Sequence, residues 1–257
     1  MSAPVFVVDP VVLADAQPGA LVLVDGAEGR HAVSVTRLRV GEAVDIVNGL
    51  GTRAVGTVHS VDGRDALQVL VTKVEHEGIR QPRLVVVQAL AKGDRGELAV
   101  EQLTEIGVDE IVPWAAAHCV VQWKSDRLAK SHQRWVDTAY AAAKQCRRAT
   151  FPVVTQLADS ADVVARIANA DAALVLHESA TMPITPLRAG ITGEVIVVVG
   201  PEGGLSPDEL GAFTSAGASA VRMGPTVLRT SSAGMAAVAA LLSGTTRWAV
   251  GADGVEG

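Results

Sequence analysis

The chain has 257 residues, of which 49% are apolar and only 3% aromatic, and its formal net charge is −6. That length suits one large domain or two ordinary ones, with enough Val, Leu, Ile and Ala for a full core. Two cysteines, Cys119 and Cys146, in no CxxC or metal-finger spacing, argue against a disulfide framework, and no apolar run reaches bilayer-spanning length. Met1 to Asp9 lacks a basic segment followed by a long apolar run, so no signal peptide is expected, and the chain is expected in the cytoplasm.

The first segment, residues 1–78, reads as short strands broken by turn signals. Val5 to Val8, Ala20 to Val24, Ala43 to Val47, Arg53 to His59 and Ala66 to Val74 are the strands, and Gly26, Asn48-Gly49, Gly51 and Asp62-Gly63 punctuate them. One helix, Glu28 to Leu38, interrupts the series, which predicts a small β-barrel with a helix packed on it. Glu77 to Pro82 reads as a linker.

From Arg83 the rhythm changes. Leu84 to Leu90 is a continuous apolar run of the kind buried on both faces of a parallel sheet. Helices are predicted at Arg95 to Ile106, Arg127 to Gln145, Ala161 to Ala168, from Pro207 behind a Ser206 cap, and at Ser232 to Leu242. Strands are predicted at Glu110 to Trp114, Ala172 to His177, Val195 to Val199 and Ala220 to Met223. Alternating strands and helices over 79–257 predict a parallel α/β domain.

Two glycine loops carry the chemistry. Gly200-Pro201-Glu202-Gly203-Gly204-Leu205-Ser206 follows the most apolar strand and opens a helix, the place where open α/β sheets bind ligands. Met223-Gly224-Pro225-Thr226-Val227-Leu228-Arg229 repeats the arrangement one strand later. No GxxxxGK[ST], GxSxG, HExxH or Cys/His cluster occurs, and Gly49-Leu50-Gly51 has Ala54 where a third glycine is required. An organic cofactor without a metal is therefore expected. Lys124 to Arg148 holds seven basic residues and two acids, Asp126 and Asp137, for a local charge of +5. That stretch is either a solvated helix face or a phosphate-tracking surface.

The ordered set of motifs resembles the RsmE family, ribosomal RNA uridine-N3 methyltransferases of the SPOUT superfamily. The resemblance is carried by His31-Ala32 with Arg37-Leu38-Arg39 and Gly41, Lys92-Gly93-Asp94-Arg95, Glu101 to Val108, Arg134-Trp135, Gln145 with Arg148, and both glycine loops. It covers nearly the whole chain. It departs at Ser231, where the family carries glutamate.

The resemblance implies a PUA-like barrel over 1–78 and an α/β trefoil-knot methyltransferase domain over 79–257. It further implies a homodimer acting on 16S ribosomal RNA of the small subunit. S-adenosylmethionine would be held by Leu176, His177 and Glu178, by Val199, Gly200, Pro201, Glu202, Gly203 and Gly204, and by Met223, Gly224, Val227, Leu228 and Ser232. Arg229 would stabilise negative charge developing on the uracil carbonyls. Glu202 would act as a base or, more in keeping with its place, hold a loop. RNA contacts would come from His31, Arg37, Arg39, Lys92, Arg134, Lys144, Arg147 and Arg148, with packing or capping the competing use of His31. A ribose 2′-hydroxyl methyltransferase and a non-catalytic RNA-binding protein are the alternatives, the second resting on Ser231 alone.

Overall fold

The computed structural model describes residues 3–78, 80–124, 127–185 and 192–248, so Ile79 of the expected linker and Asp126 of the basic stretch fall outside it. The chain forms two compact units, one of residues 1–78 with 140–151, the other of 79–139 with 152–257.

In the first unit, β1 (Val5–Val7), β2 (Leu21–Val24), β3 (Ala43–Val47), β4 (Thr52–Asp62) and β5 (Ala66–His76) form one sheet in the order β1-β3-β4-β5-β2. Only the β1–β3 pair is parallel. Alternation sets the core: along β2, Val22 and Val24 are buried while Leu21 and Leu23 face out. Register shifts in β4 at Val55/Gly56 and Val58/Ser60 bend the longest hairpin. At Gly56 a Cβ would lie 2.4 Å from the Leu70 carbonyl oxygen, so glycine is required there.

The helix expected at Glu28 to Leu38 is shorter. An α-helical turn, α1 (Gly26–Arg30), widens into a π-type turn at His31–Val35. Arg37 then adopts a φ of 60° and Gly41 one of 89°, which end the helix in a turn.

In the second unit all seven strands run parallel. They are β6 (Arg83–Ala89), β7 (Glu110–Trp114), β8 (Val153–Val154), β9 (Ala172–Leu176), β10 (Met182–Pro183), β11 (Glu194–Val199) and β12 (Ser219–Arg222), in the order β10-β12-β9-β11-β6-β7-β8. Helices α2 (Arg95–Ile106) and α6 (Thr230–Leu242), with Trp135 and Ala139 of α3 (Leu128–Gln145), cover one face through Leu84, Val86, Val195 and Val197. Helices α4 (Ser160–Asn169) and α5 (Pro207–Ser215) cover the other through Val85, Val87, Ile196 and Val198. Gly107 ends α2 with a φ of 100°, the left-handed stop that glycine takes without strain. At the amino end of the sheet, buried Glu110 is paired with Arg83 and Arg166, and Arg83 also holds Glu194.

Among the described residues no helix is long and apolar enough to cross a membrane, and no group of three or more His, Cys, Asp or Glu is placed to hold a metal ion.

Candidate active site

The loops after β9, β11 and β12 leave the carboxyl end of the sheet and surround one cavity of about 460 Å³. Leu176, His177 and Glu178 line it from the first loop. Val199, Gly200, Pro201, Glu202, Gly203 and Gly204 line it from the second, and Met223, Gly224, Val227 and Leu228 from the third. Arg229 shares the wall. Of the expected cofactor residues only Ser232 stands outside. The helix begins at Thr230, two residues before its expected start, with Arg229 as the N-cap, so Ser232 lies within the first turn and its hydroxyl reaches back to the Arg229 carbonyl at 3.4 Å. It does not cap the helix.

Hydrogen bonds from distant parts of the unit shape the second loop. The Glu202 carboxylate accepts from the Lys92 backbone N–H at 3.1 Å and from the Arg95 guanidinium at 3.2 Å. Partial burial pushes the Glu202 carboxyl up. Bonds from its own backbone, from Lys92 and from Arg95 outweigh that and hold it below the ordinary carboxylate value. A carboxylate stabilised in this way is a weak proton acceptor and a good loop anchor. His118 Nδ1 lies 3.2 Å from both the Gly203 and the Gly204 carbonyl oxygens. Carbonyls only accept, so this nitrogen carries a proton. A Cβ on Gly203 would come within 3.0 Å of the His118 Cβ, and Gly204 has a φ of 72°, so both glycines are set by the turn itself.

Behind the loop, Ser206 and Glu209 form a reciprocal capping box on α5. Glu209 also accepts from the Ala117 N–H at 2.8 Å and from the Ser160 hydroxyl at 3.0 Å, fixing the segment that carries His118.

The Arg229 side chain is exposed and pairs with no carboxylate among the described residues, so it does not serve as a structural ion pair. Ser231, where the family glutamate would stand, is buried in the first turn of α6. Leu205, Pro225 and Thr226 of the two glycine loops also line the cavity, as do Arg95, Val221, Arg222, Thr230 and Ala233, which were not singled out from the sequence. Arg95 lies within the Lys92-Gly93-Asp94-Arg95 match, the one signal that could have found it.

The expected RNA contacts separate by environment. In the first unit, His31, Arg37, Arg39 and Arg147 are exposed, with His31 edge-on to Phe6 at 5.7 Å between ring centres. Lys144 is not free for phosphate. Its ammonium holds both oxygens of Glu28 at 2.6 and 2.8 Å, and both side chains are largely covered. Arg148 is 6% exposed and donates to the Thr150 carbonyl at 2.8 Å, so burial removes it from a phosphate surface as well. In the second unit, Lys92 has an exposed side chain, and Arg134 is exposed while pairing with Glu97 at 2.9 Å.

Comparison with known proteins agrees with this architecture. Residues 79–242 match the RNA methyltransferase domain model, and residues 24–72 match the RNA methyltransferase PUA domain model. Ribosomal RNA small subunit methyltransferase E of Mycobacterium tuberculosis is 43% identical over 242 residues, covering 93% of this chain and 92% of its own. The Bacillus subtilis protein of the same name is 27% identical, over 85% of this chain and 88% of its own. Among solved structures, a Legionella pneumophila methyltransferase in complex with its cofactor S-adenosylmethionine has a TM-score of 0.79 at 25% identity, covering 95% of this chain and 99% of that one. Ribosomal RNA small subunit methyltransferase E from Neisseria gonorrhoeae, bound to S-adenosylmethionine, shares the fold with a TM-score of 0.77 at 23% identity over 94% of this chain and 98% of that one. By the matched domain models and by identity across nearly the full length of both chains, this chain belongs to the RsmE family of RNA methyltransferases.

Proposed function

We propose that the protein transfers a methyl group from S-adenosylmethionine to N3 of a uridine in 16S ribosomal RNA of the small subunit. The observation that carries this reading is the cavity bordered by three loops at the carboxyl end of the parallel sheet, with Arg229 in its wall. Its volume falls in the range of small-ligand sites. Its lining suits the cofactor: Leu176, Val199, Met223 and Leu228 offer apolar surface, Glu178 and Glu202 carry negative charge that would suit a cationic ligand, and the glycines expose backbone groups. When bound, the cofactor supplies a methyl group on a sulfonium, already activated toward a nucleophile.

The chain's own residues place and prepare the acceptor. Uridine N3 becomes nucleophilic when its proton passes to solvent water, the negative charge then spreads onto the flanking carbonyls, and S-adenosylhomocysteine is the leaving group. Arg229, a cation without a carboxylate partner among the described residues, stabilises that charge. Glu202 keeps the second loop in place through Lys92 and Arg95 rather than taking the proton. Lys92, Arg134, Arg147, His31, Arg37 and Arg39 contact the RNA backbone, which positions the substrate without specifying it.

The domain division follows the same reading, with an RNA-binding PUA-like barrel over 1–78 and a SPOUT domain over 79–257. Strand β12 pairs with β9 on the side away from β11, yet α6, which follows it, packs on α2 over β6 and β11. The chain therefore crosses back over the strand ends, and this return supports a trefoil knot. The working form is a cytoplasmic homodimer, and the exposed Val227 and Leu228 beside the cavity offer apolar surface for a second copy.

The test is methyl transfer to small ribosomal subunits isolated from a strain lacking this activity, with nucleosides identified by mass spectrometry. N3-methyluridine is the expected product. A 2′-O-methylated nucleoside, or none on active subunits, would overturn the assignment.

A further inference from the structure

Strand β6 reads Arg83-Leu84-Val85-Val86-Val87-Gln88-Ala89, and beyond the ion-paired Arg83 at its start the one polar residue is Gln88. It is fully buried, on the face that Leu84 and Val86 present to α2 and α6. An amide in such a place costs stability unless its groups are all bonded, and Gln88 Oε1 is buried without a hydrogen-bond partner among the described residues. Stability alone would favour an apolar residue here.

The Gln88 amide nitrogen donates to the Thr230 hydroxyl at 3.1 Å and to the Ala89 carbonyl at 3.2 Å. The Thr230 hydroxyl donates in turn to the Gly200 carbonyl at 2.7 Å. Its single proton is used in that bond, so toward Gln88 it can only accept, and this fixes which end of the amide faces it. Gly200 opens the second cavity loop and Thr230 directly follows the third. One threonine hydroxyl therefore joins the two loops, and Gln88 orients that hydroxyl from below.

The backbone makes the contact possible. Gly234 lies one turn after Thr230 on the same helix face. A Cβ there would meet Leu103 at 3.1 Å and Val199 at 3.3 Å, so glycine lets α6 lie close to the sheet. In the sheet Gln88 is the register partner of Val199, the residue before Gly200.

We infer that Gln88 is a positioning residue for cofactor binding, acting through Thr230 to hold the Gly200 and Arg229 loops at the spacing the cavity requires. The inference rests on the S-adenosylmethionine reading above. Gln88 is fully buried and does not line the cavity, so it would act only through Thr230.

The test uses the full-length protein as Gln88→Met, Thr230→Val, Thr230→Ser and the double variant Gln88→Met with Thr230→Val. Three quantities are read: the S-adenosylmethionine Kd by calorimetry, amide hydrogen exchange over 199–205 and 228–234 without ligand, and the thermal midpoint. Gln88→Met and Thr230→Val should each weaken binding about tenfold, the size of one lost buried hydrogen bond, and speed exchange in both segments. The double variant should be no worse than Thr230→Val alone, because losing the threonine hydroxyl already breaks both bonds of the relay. Thr230→Ser, which keeps the hydroxyl, should bind as the parent does. Gln88→Met should leave the thermal midpoint unchanged or raised.

Parental Kd and exchange in Gln88→Met and Thr230→Val would overturn the inference, as would a lowered midpoint with parental Kd. Should Gln88→Met fail to fold, the threonine pair decides: equal behaviour of Thr230→Ser and Thr230→Val overturns it. A parent protein that binds no S-adenosylmethionine would refute the cofactor reading instead. Exchange in the ligand-free variants would still report whether the link holds the loops.

Discussion

Replacing Glu209 by glutamine tests how the second cavity loop is anchored. The carboxylate is 6% exposed and accepts from four groups: the Ala117 N–H and Ser160 hydroxyl on one oxygen, the Ser206 N–H and hydroxyl on the other. Glutamine keeps the shape but has one acceptor oxygen. In either orientation its NH2 faces a backbone N–H that cannot accept, while the serine hydroxyl beside it can rotate. One buried N–H is left unpaired and the surviving bonds lose their charge assistance, for a cost of about 3 kcal/mol.

The pH dependence follows from the same bonds. Burial alone would raise the Glu209 pKa, but the bonds from Ala117, Ser206 and Ser160 outweigh it and hold the carboxyl below its ordinary value. A depressed folded pKa contributes stability above the unfolded value of about 4.3, and that contribution is lost as pH falls through the folded value. The E209Q penalty should therefore be full at pH 7 and shrink as pH drops below about 4. Urea unfolding followed by tryptophan fluorescence measures it. Buried Trp114 reports on the region because it packs edge-on against Phe213 of α5 and donates to Ser160. A penalty under about 1 kcal/mol at pH 7, or one equal at pH 7 and pH 3.5, would refute the account.

Arg229→Ala should lower the methyl-transfer rate by about a hundredfold or more while changing the S-adenosylmethionine Kd little, and equal rates would remove Arg229 from the chemistry. Glu202→Gln should weaken cofactor binding several-fold without shifting the acid limb of the pH–rate profile, since the residue anchors a loop; a shifted limb would make it a base. Lys144→Ala should destabilise the first unit by about 3 kcal/mol, because it strands a covered Glu28 carboxylate, and leave the salt dependence of RNA binding intact. Arg147→Ala should do the reverse, reducing the slope of log affinity against log salt by about one with little effect on unfolding.

The strands and helices of the second unit were legible because their signals are local. The apolar run at Leu84 to Leu90, the Gly107 stop and the Ser206–Glu209 capping box each lie within a few residues. Two of the three cavity loops were legible too, since they carry the glycine motifs themselves, whereas the loop at Leu176 to Glu178 has no motif and came from the family resemblance. What the sequence concealed depends on partners far along the chain. Lys144 and Arg148 look like part of one basic stripe, and only folding brings Glu28 to the first and buries the second. Gln88 passed unremarked within the apolar run, because its partner Thr230 is 142 positions away. The two-residue strands β8 and β10 are too short to show a period, and the π-type turn at His31–Val35 continues a helical pattern that gives no warning of its end.

The discontinuous first unit bears on synthesis. Val5 and Val47 complete their buried cluster with Ala149, and Arg53 reaches the Arg147 carbonyl at 2.6 Å. Translation releases the five strands first, at about 5–20 residues per second, and delivers the 140–151 segment seconds later. The nascent sheet must therefore wait with an apolar edge uncovered while β6, α2 and β7 emerge. A chain arrested before residue 151 should expose that edge to chaperones and proteases, even though every strand of its sheet has already been made.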